Sequence, residues 1–116
     1  MLKIAFSPIY KYELPPGHRF PMIKYELIPE QLLYEGTITD DHFFHPQLLS
    51  EEVILLTHTE DYWHQLKHQQ LSRKEERAIG FPMSENLVRR GRHIANGTLE
   101  CAYYAQQYGV AMNVAG

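Results

Sequence analysis

The sequence has one cysteine, no long apolar run and no excess of basic charge. Cys101 is alone among 116 residues and lies within an apolar helical pattern, which predicts a small buried side chain and excludes an internal disulfide. No run approaches the roughly 20 apolar residues of a membrane span, and no signal peptide is visible. The net charge of −3 provides no basic field for nucleic acid. We therefore expect a cytoplasmic protein that binds neither nucleic acid nor membranes.

A long helix followed by a short strand is the clearest pattern. Ser84 is a suitable N-cap, apolar and small residues then recur at three- and four-residue steps, and Gly109 is a natural C-terminal stop. Gly91 and Gly97 lower helix propensity, which predicts that this helix is pressed closely onto a sheet. The apolar run 110–115 is typical of a buried parallel strand.

The remaining elements are shorter. No repeat or low-complexity linker divides the chain, so residues 1–116 are expected to form one unit, or part of one. The patterns predict a strand at 2–7; a helix from Pro21, kinked or restarted at Pro29 and ended by Gly36; a polar connector at 37–46; a short helix at 50–55, with a strand at 53–56 as the alternative; a helix at 61–70; and an exposed charged segment at 71–78.

The histidines and the basic residues are the side chains of this sequence that could bind a metal ion or an anion. His64 and His68 have the spacing of a zinc-binding pair, but the polar residues around them favour a solvated helical face. His42 and His45 are expected at the surface, and His58 is expected to tie backbone groups together. The cluster Arg89, Arg90, Arg92 and His93 could bind an anion or a partner, although such a run is usually a solvated face.

Arg19 is a separate case, because it precedes Phe20 and Pro21 at the start of an apolar helical pattern and is therefore drawn towards the core. A buried guanidinium group needs partners. One interpretation is an arginine that fastens its own loop by donating to carbonyl oxygens. The other is a fixed positive charge facing an internal cavity that holds an anion or a carbonyl.

Five segments, in order, resemble the histone deacetylase superfamily, most closely its bacterial histone-deacetylase-like and acetoin-utilisation members. They are the Gly-His-Arg-Phe-Pro-Met run 17–22 with Lys24-Tyr25, the Thr-His-Thr-Glu-Asp-Tyr run 57–62, Gly80-Phe81-Pro82, the Ala-Asn-Gly-Thr run 95–98, and the run 110–116.

The resemblance implies an α/β arginase–deacetylase fold, with a central parallel sheet between layers of helices. It also implies hydrolysis of an acetyl-lysine-type amide, in an acetylated protein or a small molecule, with one zinc ion. In the family, two aspartates and a histidine hold the zinc ion, a pair of histidines transfers protons, and a tyrosine stabilises the oxyanion.

Gly116 resembles the first glycine of the family's Gly-Gly-x-His-His-Ala turn, after which the zinc ligands and catalytic residues follow. The segment 1–116 is therefore expected to be the N-terminal part of a deacetylase domain that contains no catalytic or metal residue. Arg19 matches an arginine that lines the family's internal product channel. Alone, the segment is expected to be inactive, to bind no zinc and to self-associate. The alternative is a non-catalytic module that binds a protein through the basic patch or an exposed sheet edge.

Overall fold

The computed structural model describes residues 1–115, which form a small parallel sheet and five α-helices; Gly116, the first glycine of the expected turn, lies outside the described residues. The strands are β1 (Lys3–Ala5), β2 (Phe43–Phe44) and β3 (Ala111–Asn113), and the helices are α1 (Lys24–Tyr34), α2 (Glu51–Ile54), α3 (Glu60–Lys67), α4 (Arg73–Ile79) and α5 (Glu85–Tyr108). The mixed α/β class with a parallel sheet is confirmed. None of the helices within 1–115 is long and apolar enough to cross a bilayer.

The sheet has the strand order β2-β1-β3, and both pairings are parallel. Ile4 of β1 is opposite Phe43 on one side and Met112 on the other. β1 and β3 confirm the two predicted strands, although each is shorter than the predicted run. β2 falls within the segment 37–46, for which a polar connector was predicted. That prediction was wrong for Phe43 and Phe44, because two residues are too few to show a period.

Helix α5 begins and ends where the sequence predicts. The Ser84 hydroxyl accepts a hydrogen bond from the backbone N–H of Leu87 at 3.1 Å, and Gly109 ends the helix with a φ of 93°. The helix packs against β1 and β3. On β3, Asn113 donates from Nδ2 to the carbonyl oxygen of Ile94 at 2.9 Å. These contacts fix one face of the sheet against one face of α5.

The two glycines of α5 have different surroundings. A Cβ atom added to Gly97 would lie 2.6 Å from Tyr10 Oη, 2.8 Å from Asn113 Nδ2 and 3.0 Å from Pro46 Cγ. At Gly97 the predicted close approach to the sheet is confirmed. A Cβ atom added to Gly91 meets no atom within 4 Å, so the same prediction was wrong for Gly91.

The shorter helices follow local signals. Helix α1 begins at Lys24 rather than Pro21 and continues through Pro29 as one helix, so the alternative of a second helix that starts at Pro29 was wrong. Ser50 caps α2, which excludes the alternative strand at 53–56, and Thr59 caps α3. Helix α4 was missed within the segment predicted only as charged and exposed. It has no buried residue, but a capping box between Ser72 and Glu75 marks its start.

The two glycines provide a matched test of the packing of α5. Gly91→Ala is expected to raise the free energy of unfolding by roughly 0.5–1 kcal/mol, because alanine favours the helix and the added methyl group has space. Gly97→Ala is expected to lower it by roughly 1–3 kcal/mol, because three neighbours must move. Guanidinium unfolding monitored by circular dichroism measures both. Equal effects would contradict the assigned close contact at Gly97.

Candidate functional site at the carboxyl edge of the sheet

The candidate site is the edge of the sheet where the parallel strands end. The chain moves from β1 to β2 on one side and then returns to β3 on the other side. In open α/β sheets this reversal of direction leaves a crevice beyond the carboxyl ends, and ligands bind there. For the strand order β2-β1-β3, this rule places the expected ligand position between the ends of β1 and β3.

Two loops meet at this edge, namely the segment from β1 to α1 and the connection from α4 to α5. His18 joins them, because its Nδ1 accepts a hydrogen bond from the backbone N–H of Phe20 at 3.2 Å and its Nε2 lies 2.9 Å from the carbonyl oxygen of Gly80. With Nδ1 accepting, the proton of the neutral ring is on Nε2, which donates to Gly80. The rings of Phe20 and Phe81 then pack edge to face, with centroids 5.1 Å apart.

An apolar cluster packs against both loops, through Phe20 in one and Phe81 in the other. Tyr10, Met22 and Tyr25 are its buried members. Val114 and Ala115, which directly follow β3, pack against it. The cluster therefore connects the end of β3 with the loop that carries Arg19.

Arg90 of α5 is the buried charge of this region, with 7% of its surface exposed. Its Nε donates to the carbonyl oxygen of Tyr10 at 2.6 Å, and its guanidinium carbon lies 5.3 Å from the ring centroid of Tyr25 and 5.9 Å from that of Phe81. Burial lowers the pKa of Arg90 from its ordinary value. Within residues 1–115 it has no carboxylate partner. Arg90 thus binds the first loop to α5 through a carbonyl group and aromatic faces.

Arg19 is exposed, and its side chain makes no hydrogen bond to any of residues 1–115. The expectation that Arg19 is drawn into the core was therefore wrong for the described part of the chain, as was the interpretation that it ties its loop to carbonyl oxygens. Arg90 has that structural role. Sequence reasoning missed Arg90 because the residue stands in a run of basic residues, although its spacing of seven from Gly97 places both on the same face of α5.

The predicted basic patch is mostly turned inwards. Both Nε and Nη2 of Arg92 donate to the carbonyl oxygen of Leu49, at 2.9 and 2.7 Å, and Nδ1 of His93 lies 2.9 Å from the carbonyl oxygen of Pro46. Of the four residues, only Arg89 is exposed. The interpretation of this run as one solvated face was wrong, because three of its members bind carbonyl groups or aromatic rings of neighbouring segments.

The other histidines are at the surface or in caps. His42 accepts the backbone N–H of Thr39 in a capping box, and His45 is exposed. His58 packs near the Tyr62 ring, and no backbone hydrogen bond of its side chain is seen within residues 1–115, so the predicted tying role was wrong. His64 and His68 are exposed, with ring centroids 4.4 Å apart. Residues 1–115 include no group of three His, Cys, Asp or Glu side chains that could hold a metal ion.

Cys101 is buried on the sheet side of α5, as its pattern predicts. Its thiol donates to the carbonyl oxygen of Met112 at 3.2 Å, and burial raises the pKa of the thiol. A thiol in this environment is a packing group rather than a nucleophile.

No protein-family model matches the chain. It is similar to an uncharacterized protein of Picosynechococcus sp., with 34% identity over 113 residues. The match covers 97% of this chain and 38% of that relative, so the chain spans about two fifths of the relative's length.

The role of Arg90 is open to a stability measurement. Arg90→Met is expected to lower the free energy of unfolding by about 1.5 kcal/mol, the lower end of the range for a hydrogen bond to a charged group, because the loss is partly offset when the buried charge is removed. Arg89→Met, in the exposed neighbour, is expected to change it by less than about 0.5 kcal/mol. Denaturant unfolding measures both. If the two variants have the same stability, Arg90 does not fasten the loop.

Proposed function

We propose that this chain is the N-terminal segment of a zinc-dependent deacetylase that hydrolyses an acetyl-lysine-type amide. The observation that carries the proposal is the meeting of three resembling segments that are far apart in the sequence. The segment 17–22 contacts Gly80 and Phe81 through His18 and Phe20, and the end of β3 packs on the same apolar cluster. All three lie at the carboxyl edge of the sheet, where α/β enzymes bind substrates.

Further support comes from the fold class and from the relative. A parallel sheet with a reversal of strand order is compatible with the expected arginase–deacetylase arrangement. The relative is a longer protein, so residues outside the matched region are available to complete a site. In the proposal, the zinc ligands and the proton-transferring histidines lie outside residues 1–116, as the resemblance implies. In the proposal, no side chain of residues 1–115 takes part in breaking the amide bond.

Arg19 is the residue through which this segment is proposed to act. Arg19 lies in the segment 17–22, which forms part of the candidate site. Its exposed side chain makes no hydrogen bond to residues 1–115, so it can still bind an anion. In the proposal it faces the channel that holds the acetate product, where a planar guanidinium binds a carboxylate with two parallel hydrogen bonds. Arg90 holds the loop in place, and Arg19 supplies the charge.

The proposal is tested in the complete protein that contains this segment. We expect zinc-dependent release of acetate from an acetyl-lysine peptide or a small acetylated amine. Arg19→Ala is expected to lower turnover by roughly ten- to a hundredfold, from the loss of a charge-assisted hydrogen bond of about 1.5–3 kcal/mol. Arg19→Lys should restore part of the activity, since it keeps the charge but loses the planar fork.

Arg89→Ala is the matched control, because Arg89 is also exposed but lies on the outer side of α5. Zinc content should be the same in all variants. A lower melting temperature with normal specific activity in Arg19→Ala would show a purely structural residue. The absence of turnover in the unaltered, zinc-loaded protein would contradict the deacetylase proposal itself.

A second candidate is a non-catalytic module that associates through the edge of its sheet. Val110 and Met112 are 50% and 55% exposed, and within the described residues β3 has a neighbour on one side only. An uncovered strand edge beside apolar side chains is a template for pairing with another chain. The basic patch gives this candidate no support, because Arg90, Arg92 and His93 face inwards.

Self-association of residues 1–116 tests the exposed edge. We expect sedimentation to show a dimer or larger species, and we expect Met112→Lys to shift the population towards monomer, because a charge at an edge opposes pairing. Leu56→Lys, at a position that is 84% exposed and outside the three strands, is the control for added charge. A clean monomer of the unaltered segment at high concentration would contradict association through β3.

A further inference from the structure

A groove runs beside α5, on the side where this helix meets α2 and α3. The groove lies between α3 and α5 and has a volume of about 510 Å³, within the range of cavities that bind small organic molecules. It is lined by seventeen residues, most of them apolar, among which Val53, Trp63, Leu66, Leu87, Val88 and Gly91 contribute to the walls and floor. Trp63 is the only tryptophan of the chain and is 6% exposed.

The charge of the groove has one sign. Its lining includes Arg90 and Arg92 but no aspartate or glutamate. Neither arginine makes an ion pair within residues 1–115, where the ion pairs are Lys11–Glu26 and Lys67–Glu51. Arg92 contributes to lowering the pKa of Glu51, but the first cause of that shift is the hydrogen bond from Lys67, so Glu51 is already committed to another cation.

Arg92 is the group with free hydrogen-bonding capacity. Its Nε and Nη2 share one acceptor, the carbonyl oxygen of Leu49, and its guanidinium carbon lies 5.4 Å from the ring centroid of Trp63. Its Nη1 makes no hydrogen bond within the described chain. These contacts hold the guanidinium plane in a fixed position beside an apolar trough. Arg90 adds positive charge, but its Nε is directed to Tyr10.

We propose that this groove binds an amphipathic carboxylate, with the carboxylate on Arg92 and an aliphatic or aromatic body on Trp63, Leu66 and Leu87. Charge complementarity supports this occupant. The guanidinium group of Arg92 has no carboxylate partner within residues 1–115 and borders an apolar trough, so an anion with an apolar body satisfies both. A neutral amphiphile leaves the guanidinium without an anion, and a cation is repelled. The groove shares Phe81 and Arg90 with the region at the carboxyl edge of the sheet, but Arg92, Trp63 and Leu66 belong only to the groove. The proposal does not depend on the deacetylase proposal.

The first measurement uses octanoate as the probe and the fluorescence of Trp63 as the readout, with calorimetry as a second readout. We expect a saturable change for octanoate. Octanol, which has the same chain and no charge, is expected to bind at least about tenfold more weakly. Octylammonium is expected to bind more weakly still. Equal affinity for octanoate and octanol would overturn the proposal, as would the absence of binding in both readouts.

Variants then assign the site. Arg92→Met keeps the length of the side chain and is expected to weaken octanoate at least about tenfold, while octanol binding changes little. Arg89→Met is the matched control, because Arg89 is on the same helix but does not line the groove, and it should bind octanoate normally. Unchanged octanoate binding in Arg92→Met would overturn the proposal.

Gly91→Leu keeps the proposal testable if Arg92→Met does not fold. An added Cβ at Gly91 meets nothing within 4 Å, and leucine favours the helix, so this variant is expected to fold and to place its side chain in the groove. It should abolish binding of octanoate and octanol together. Normal octanoate binding by folded Gly91→Leu would show that the fatty acid does not occupy this groove.

Discussion

The contact of α5 with the sheet at Gly97 is the constraint on which the rest of the structure depends. Tyr10, Pro46 and Asn113 meet at this position, and they come from the segments after β1 and β2 and from β3 itself. One glycine thus sets how closely the helix approaches all three strands. Any side chain at this position would separate the helix from the strand ends, and the carboxyl edge would lose its geometry.

The same close approach explains the surroundings of Tyr10. Its side chain is fully buried, its hydroxyl group has no hydrogen-bond partner within the described chain, and burial raises its pKa. Its backbone carbonyl is the acceptor of Arg90. Tyr10 therefore has two roles: its ring fills the core, and its carbonyl group fixes the loop that leads to Arg19. Tyr10 thus connects the packing of α5 at Gly97, two helical turns from Arg90, to the position of the candidate site.

The two arginines that bind carbonyl groups also give α5 two different sides. Arg90 is directed to the sheet side and binds the loop after β1, whereas Arg92 is directed to the segment before α2 and borders the groove with Trp63. Arg89, which precedes both in the sequence, is exposed. Their separation follows from helical geometry, because adjacent residues in a helix point about 100° apart. A run of basic residues is therefore not one surface.

The sequence by itself determined what depends on neighbours in the chain. The cap at Ser84, the stop at Gly109 and the helices that begin near Ser50 and Thr59 were predicted, because caps and stops act on backbone groups within four residues. The capping box at Ser72 carried the same information for α4 and could have been recognised. Only the tertiary structure decided the pairing of Phe43 with Ile4, the inward direction of Arg90 and the exposure of Arg19. These features depend on which carbonyl group or strand, distant in the sequence, lies beside a residue in the fold. A local sequence pattern does not predict that.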